Sequence, residues 1–164
     1  MHLTRKQIHV MTVGLLLANV MSGLDATIIN TALPAIIADL HGIYCMGLIV
    51  SVFLLGMSVF TPLWSKFGER MGNKKAFELA VVLFIAGSAL EGLSPDILFF
   101  VCARLLMGIG AGGLGSIPYI IFGNVYENLH TRSIILGFVS AVYGAASITG
   151  PLVGGLIVDS FSWH

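Results

Sequence analysis

The chain has 164 residues, of which 57% are hydrophobic and only 10% are charged, with equal numbers of basic and acidic side chains. Because soluble domains carry about 25% charged residues, this composition excludes a soluble globular domain, and its hydrophobic content also excludes a disordered chain. The balanced charge leaves no basic field for nucleic acid. We therefore predict an all-α integral membrane protein.

Long uncharged stretches divide the chain into five predicted membrane-spanning helices. The longest are residues 7–24, 40–65, 105–126 and 133–158, and a helix needs about 20 mostly apolar residues to cross the hydrocarbon core. The predicted spans are therefore residues 10–37, 44–64, 76–93, 97–121 and 134–158. Within the third span only residues 79–90 are free of charge, and we expect Glu78 and Glu91 to lie at its two interfaces.

The basic residues indicate the orientation of these spans, because lysine and arginine concentrate in cytoplasmic loops. A cytoplasmic N-terminus places every basic residue except Arg104 on the inner side and leaves the outer loops with acidic residues only. The inner residues are Arg5, Lys6, Lys66, Arg70, Lys74, Lys75 and Arg132. We predict a multi-pass protein of the plasma membrane with its N-terminus in the cytoplasm.

The number of spans predicts that the sequence is part of a longer protein. Many transporters are built from repeats of three helices, two of which make a six-helix half. Five spans, with no polar tail after the last of them, correspond to such a half without its last helix. We therefore expect residues 1–164 to form the incomplete N-terminal half of a transporter.

Besides Glu78 and Glu91, two charged residues lie within predicted spans, Asp25 and Arg104. A charge at that depth costs at least about 2.5–3.5 kcal/mol and usually faces a cavity or a partner. Asp25, followed by Asn30 and Pro34, either holds the first helix to its neighbours or acts as a protonatable or cation-binding carboxylate. The helical rise places Arg104 at a similar depth, so it is either a structural counter-ion of Asp25 or part of the transport pathway.

Glycines in the last two spans predict close helix packing. Residues 108–113 match the spacing of a dinucleotide-binding loop, but no strand precedes them and they lie in a span, so we reject that interpretation. Gly108 and Gly112 instead make a face of small residues four positions apart. The fifth span repeats the spacing at Ala146, Gly150 and Gly154, with a bend predicted at Pro151.

The predicted loop between the second and third spans, residues 66–75, combines basic residues with glycines. Gly68 and Gly72 predict a tight turn, and Glu69 beside Arg70 offers a carboxylate that can pair with a neighbouring helix end. An ion pair that forms in one conformation and breaks in another suits a transporter whose halves rock.

Four stretches together resemble the major facilitator superfamily, specifically its drug:proton antiporter branch with fourteen transmembrane helices. Residues 24–34 are similar to the first-helix motif of that branch, and residues 62–75 to the loop between helices 2 and 3. Residues 104–108 resemble the fourth-helix motif associated with proton transfer. Residues 137–155 resemble the fifth-helix motif that marks exporters, with alanine in place of one glycine.

The resemblance implies proton-coupled export of small, amphipathic or drug-like molecules, driven by a proton gradient and without a cofactor. Asp25, Asn30 and Arg104 would serve proton coupling or line the substrate cavity. The resemblance assigns a conformational lock to Gly68, Glu69, Arg70, Gly72, Lys74 and Lys75. It assigns the helix packing of the antiporter motif to Gly137, Ala146, Gly150, Pro151, Gly154 and Gly155.

The expected partners are the lipid bilayer, a small-molecule substrate, protons and a C-terminal half of the transporter beyond these residues. Without that half we expect no transport. The alternative is a non-transporting five-span membrane scaffold or regulatory fragment, which a natural stop after His164 would favour. We expect neither an enzyme nor a metal site, because the five histidines are scattered and no nucleophile–base or metal-ligand arrangement appears.

Overall fold

Five α-helices make up the part of the chain that the computed structural model describes, residues 5–39, 46–126 and 128–160. They are α1 (Arg5–Asp39), α2 (Met46–Met71), α3 (Asn73–Gly92), α4 (Ile97–Val125) and α5 (Leu129–Ser160). Of these described helices, α1, α2, α4 and α5 are long and apolar enough to cross a membrane. The predicted all-α membrane architecture is confirmed.

α3 is not among these four helices because it is the shortest of the five and carries charged residues near both ends. Its 20 residues nevertheless give a length of about 30 Å, which matches the hydrocarbon core. Glu78 is exposed and lies 3.7 Å from the Lys74 ammonium group one turn earlier, as suits a carboxylate at an interface. The third span therefore stays a prediction.

α4 lies at the centre of the helix packing. In its most apolar stretch 61% of the residues are buried, against 22%, 17% and 17% for α1, α2 and α5. α2 and α3 both pack along α4, whereas α1 packs mainly along α5 and touches α4 over a smaller area. The helices thus form two groups, α2–α3–α4 and α1–α5, which meet chiefly where α1 contacts α4.

Glycines allow α4 to approach α2 at backbone distance. A Cβ atom added at Gly108 would stand 2.5 Å from the carbonyl oxygen of Phe53, and one at Gly112 would stand 2.8 Å from that of Met57. Side chains at these positions would push the two helices apart. Gly108 and Gly112 therefore form the small-residue packing face that their spacing predicts.

α5 packs along α1 through small residues at four-residue intervals. The facing pairs are Ala146 with Gly23, Gly150 with Thr27, and Gly154 with Thr31. Because the residue numbers rise together, the two helices run parallel, as the predicted topology requires of two odd-numbered spans. Gly137 and Gly155 face no described atom within 4 Å of an added Cβ. α5 continues as a helix through Pro151.

The predicted loop at residues 66–75 is mostly helical, and its turn is a single residue. α2 continues to Met71 and α3 begins at Asn73, so only Gly72 separates them. Gly72 has φ +92°, which side-chain-bearing residues rarely adopt, and its N–H donates to the Gly68 carbonyl at 3.0 Å. Lys66, Glu69, Arg70 and Met71 are good helix formers, which favours the extension of α2 past residue 64, where its span was predicted to end.

Replacing Gly72 with alanine is expected to destabilise the folded protein by about 2 kcal/mol, because a Cβ atom is strained at this backbone conformation. Gly144→Ala is the matched control, since Gly144 is helical and open, and it should be neutral or slightly stabilising. Thermal unfolding of the detergent-solubilised product of the complete open reading frame measures both. Equal melting temperatures for the two variants would contradict the assignment of strain to Gly72.

Candidate functional site

A buried arginine joins three helices. Arg104 on α4 is 1% exposed. Its Nη1 atom lies 3.3 Å from Oδ2 of Asp25 on α1 and 3.1 Å from Oε2 of Glu91 on α3. One guanidinium nitrogen therefore contacts two carboxylates. When all three groups are ionised, the cluster of Asp25, Glu91 and Arg104 carries a net charge of −1.

The guanidinium group also contacts an aromatic ring and a thioether sulfur. The Phe53 ring of α2 covers it, with 4.4 Å between Cζ of Arg104 and the ring centroid, a cation–π geometry. The Met107 sulfur lies 3.5 Å from Nη1. The Nε atom has no hydrogen-bond partner among the described residues. Arg104 thus meets its carboxylates through one nitrogen and leaves its two-pronged donor edge unused.

The short turn between α3 and α4 brings Glu91 opposite Arg104. α4 begins after Asp96, whose side chain accepts a hydrogen bond from the Phe99 N–H at 2.7 Å and so caps the helix. The Ser94 hydroxyl donates to the carbonyl of Glu91 at 2.5 Å and closes the end of α3. Both charged residues lie within about two helical turns of this link, so the hairpin itself sets their proximity.

The sequence placed Asp25 and Arg104 at a similar depth, and the structure brings them together. The sequence analysis did not predict that Glu91 joins this pair, yet Glu91 is 8% exposed and paired with Arg104. Its position at a membrane interface stays a prediction. A usable signal was present, since helical periodicity assigns Glu91 to the packed face of α3. The buried residues on that face are Ala76, Ala80, Phe84, Gly87 and Glu91.

Asn30 does not join the cluster. It lies five residues after Asp25, which corresponds to about 140° around a helix. Its side chain is exposed, and its Nδ2 donates to the Ala26 carbonyl of the same helix at 3.1 Å. Of the three residues predicted to share a cavity, the structure therefore brings together only Asp25 and Arg104.

A half-open pocket of about 220 Å³ lies beside the two carboxylates. Asp25 and Glu91 provide its charged atoms. The other lining residues are Ile28, Ile29, Ala32, Ile36, Ser88, Gly92 and Phe100. The Asp25 side chain is 21% exposed and that of Arg104 only 2%, so water or a small cation can reach the aspartate more readily than the arginine.

The residues predicted to act as a conformational lock lie around the turn at Gly72. They are distant in sequence from Asp25, Glu91 and Arg104. Glu69, Arg70, Lys74 and Lys75 are exposed, and among the described residues the ion pair in this region is that of Lys74 with Glu78. Within the same described ranges, no group of three or more His, Cys, Asp or Glu side chains could hold a metal ion.

Known proteins similar to this chain include multidrug transporters. Multidrug transporter protein MdtP of Bacillus subtilis (strain 168) is 34% identical over 150 residues, which cover 92% of this chain and 28% of the relative. Efflux pump dotC of Dothistroma septosporum is 36% identical over 152 residues, covering 93% and 26%. Multidrug resistance protein 3 of Bacillus subtilis (strain 168) is 33% identical over 151 residues, covering 92% and 29%.

The chain thus spans less than a third of the length of each of these relatives. The family described as the Major Facilitator Superfamily matches residues 15–164, which is nearly the whole chain. This match agrees with the resemblance of the four sequence motifs and with the apolar helices. The chain therefore belongs to the Major Facilitator Superfamily.

Proposed function

We propose that these residues are the N-terminal part of a transporter that exports small, amphipathic or drug-like molecules in exchange for protons. Relatives named as multidrug transporters and efflux pumps support export as the direction of transport. Because the chain covers less than a third of each of them, the proposal concerns a longer transporter, with a C-terminal half that completes the cavity. The basic inner loops support a plasma-membrane location with a cytoplasmic N-terminus.

The observation that carries the proposal is the contact of Asp25 with the buried Arg104 at 3.3 Å, beside an open pocket. A carboxylate in this setting binds one positive partner at a time: the guanidinium group, a proton or a cationic substrate. A proton entering through the pocket neutralises Asp25 and weakens its hold on either of the others. Competition at one carboxylate is the simplest physical basis for exchanging a proton for a substrate.

The position of the pair also supports coupling to movement. Asp25 belongs to the α1–α5 group and Arg104 to the α2–α3–α4 group. The contact between the two groups is smaller than that of α1 with α5, or of α4 with α2 or α3. Neutralising Asp25 removes a charge-assisted contact across that boundary. The change in protonation can therefore bias the relative position of the groups, as alternating access requires.

We also propose that the turn at Gly72 and its basic residues act as a conformational lock. Glu69 and Arg70 are exposed at the end of α2, so both are free to pair with another helix end when the transporter changes state. The α1–α5 packing through Gly150 and Gly154 would keep α1 and α5 moving as one unit. The proton gradient supplies the energy, and no cofactor is needed.

The direct test is export by an Asp25→Asn variant of the complete open reading frame. The protein would be produced in an efflux-deficient host and studied in everted membrane vesicles. A fluorescent lipophilic cation is added outside the vesicles, and its uptake is followed under an imposed proton gradient. We expect the proton-driven rate to fall at least about tenfold, since one positioned proton-transfer group typically contributes that much or more. Asp96→Asn is the matched control, because asparagine also caps a helix, and it should transport at the unsubstituted rate.

Normal proton-driven export by the Asp25→Asn variant would refute the role of Asp25. The product of the complete reading frame could also reach the membrane at normal levels and show no export, with or without the gradient. That result would instead favour the non-transporting scaffold.

A further inference from the structure

Arg104 has two counter-ions that belong to differently packed parts of the molecule. Glu91 lies on α3, which is locked to α4 at backbone distance, since a Cβ added at Gly87 would stand 2.7 Å from the backbone of Met107. Asp25 lies on α1, which packs mainly along α5. When the two helix groups move relative to each other, Glu91 stays with Arg104 and Asp25 does not.

The geometry of the guanidinium group is suited to a change of partner. Glu91 is the closer and more buried carboxylate, 3.1 Å from Nη1 with 11% of its side chain exposed, against 3.3 Å and 21% for Asp25. Both carboxylates use the same nitrogen, and neither is held in a two-pronged pairing. A small rotation of the guanidinium group would let it pair fully with whichever carboxylate remains ionised and in reach.

We propose that Glu91 is a positioning residue that holds Arg104 in place whenever Asp25 is protonated or moves away with α1. The proposal rests on the exchange of protons at Asp25 described above and adds a residue to it. Without Glu91, each release of Asp25 would leave a buried guanidinium group with no counter-ion, which is strongly unfavourable. With Glu91, Asp25 can be protonated without that penalty.

The sign of the effect follows from the charges that surround Glu91. Asp25 from α1 and Arg104 from α4 face it. α2 contributes the uncharged ring of Phe53. The described basic residues of α5 lie at the opposite end of α4, where Arg132 approaches Gly123. Removing the charge of Glu91 removes one negative neighbour of Asp25 and leaves Arg104 to Asp25 alone. Both changes favour ionised Asp25, so its protonation will require a more acidic solution.

The test measures protonation of Asp25 without relying on transport. Membranes containing the product of the complete open reading frame are treated with dicyclohexylcarbodiimide, which modifies protonated carboxyl groups in apolar surroundings, over a range of pH. Mass spectrometry then gives the pH of half-maximal modification at Asp25. For Glu91→Gln we expect this pH to fall by about one unit, the size of effect that one nearby charge produces.

Two further variants separate positioning from a merely structural role. Glu91→Asp keeps the charge and should restore the half-modification pH to near the unsubstituted value. Glu78→Gln makes the same change at an exposed glutamate of the same helix and should leave it unchanged. If Glu91→Gln and Glu78→Gln have the same half-modification pH, the proposal is overturned.

A reciprocal variant covers the case in which Glu91→Gln does not accumulate in the membrane. Because coupling between two sites is mutual, Asp25→Asn should lower the half-modification pH of Glu91 by a similar amount, and no shift there would also overturn the proposal. Export is measured separately. A shift at Asp25 in a protein with no proton-driven export would support the role of Glu91 while refuting proton-coupled transport.

Discussion

Replacing Arg104 with methionine is expected to abolish proton-driven export and to lower the free energy of unfolding by about 3–5 kcal/mol. Arg104 is the shared counter-ion of Asp25 and Glu91, and its side chain is 2% exposed. Methionine fills a similar volume but leaves two carboxylates close together without a cation. Both must then take up protons or draw in water, and either response costs free energy in the folded state.

A charge-balanced variant distinguishes the loss of the ion pairs from the loss of packing. In the triple variant Arg104→Met, Asp25→Asn, Glu91→Gln, no buried charge is left unpaired, so most of the lost stability should return while export stays absent. Lys66→Met is the control for removing a basic residue, because Lys66 is exposed, and its stability should stay within about 0.5 kcal/mol. Thermal unfolding in detergent and vesicle export measure both properties.

A single Arg104→Met variant as stable as the unsubstituted protein would mean that the cluster contributes nothing to folding. A triple variant no more stable than the single one would show that packing around Arg104, against Phe53 and Met107, matters more than its charge.

Replacing Gly87 with leucine is expected to destabilise the folded protein by about 3 kcal/mol and to separate Glu91 from Arg104. A Cβ at Gly87 would lie 2.7 Å from the N, Cα and Cβ atoms of Met107, and one at Gly110 would lie 2.5 Å from the backbone nitrogen of Phe84. Backbone atoms within two packed helices cannot yield as a flexible side chain can. The leucine side chain therefore either overpacks the contact between α3 and α4 or forces α3 away from α4, which opens the centre of the molecule.

The matched control introduces the same side chain where there is room for it. Gly144 on α5 has no described atom within 4 Å of an added Cβ and is exposed, so Gly144→Leu should be neutral. Thermal unfolding measures stability, and carbodiimide modification of Glu91 reports on its separation from Arg104. If the Gly87→Leu and Gly144→Leu variants have the same melting temperature, the close α3–α4 contact does not exist in the membrane.

Local patterns predicted the helices better than their ends. The run of uncharged residues located the second span at residues 44–64, yet α2 continues to Met71. Hydropathy reports where a helix leaves the hydrocarbon core, and nothing in that signal ends the helix itself. Its end depends on the backbone of Gly72, which the sequence indicated only as one of two glycines in a predicted turn.

The site was predicted incompletely for a different reason. Depth along a helix follows from residue number, so Asp25 and Arg104 could be placed at the same level. Rotation about the helix axis depends on which neighbour each face contacts, and it decided that Asn30 is exposed on α1 whereas Glu91 is buried on α3. Glu91, at the end of a predicted span, was interpreted from its depth alone, so its burial against Arg104 was not predicted.

The membrane environment, the number of helices and the family could be predicted from residue order alone, because these properties depend on composition, on the spacing of charges and on short motifs. The sharing of Arg104 between Asp25 and Glu91 and the central position of α4 emerged from the packing of the helices. The physical reason is that both results depend on how closely helices approach one another. Glycine contacts between distant segments set that distance, as Gly87 does against Met107 and Gly108 against Phe53.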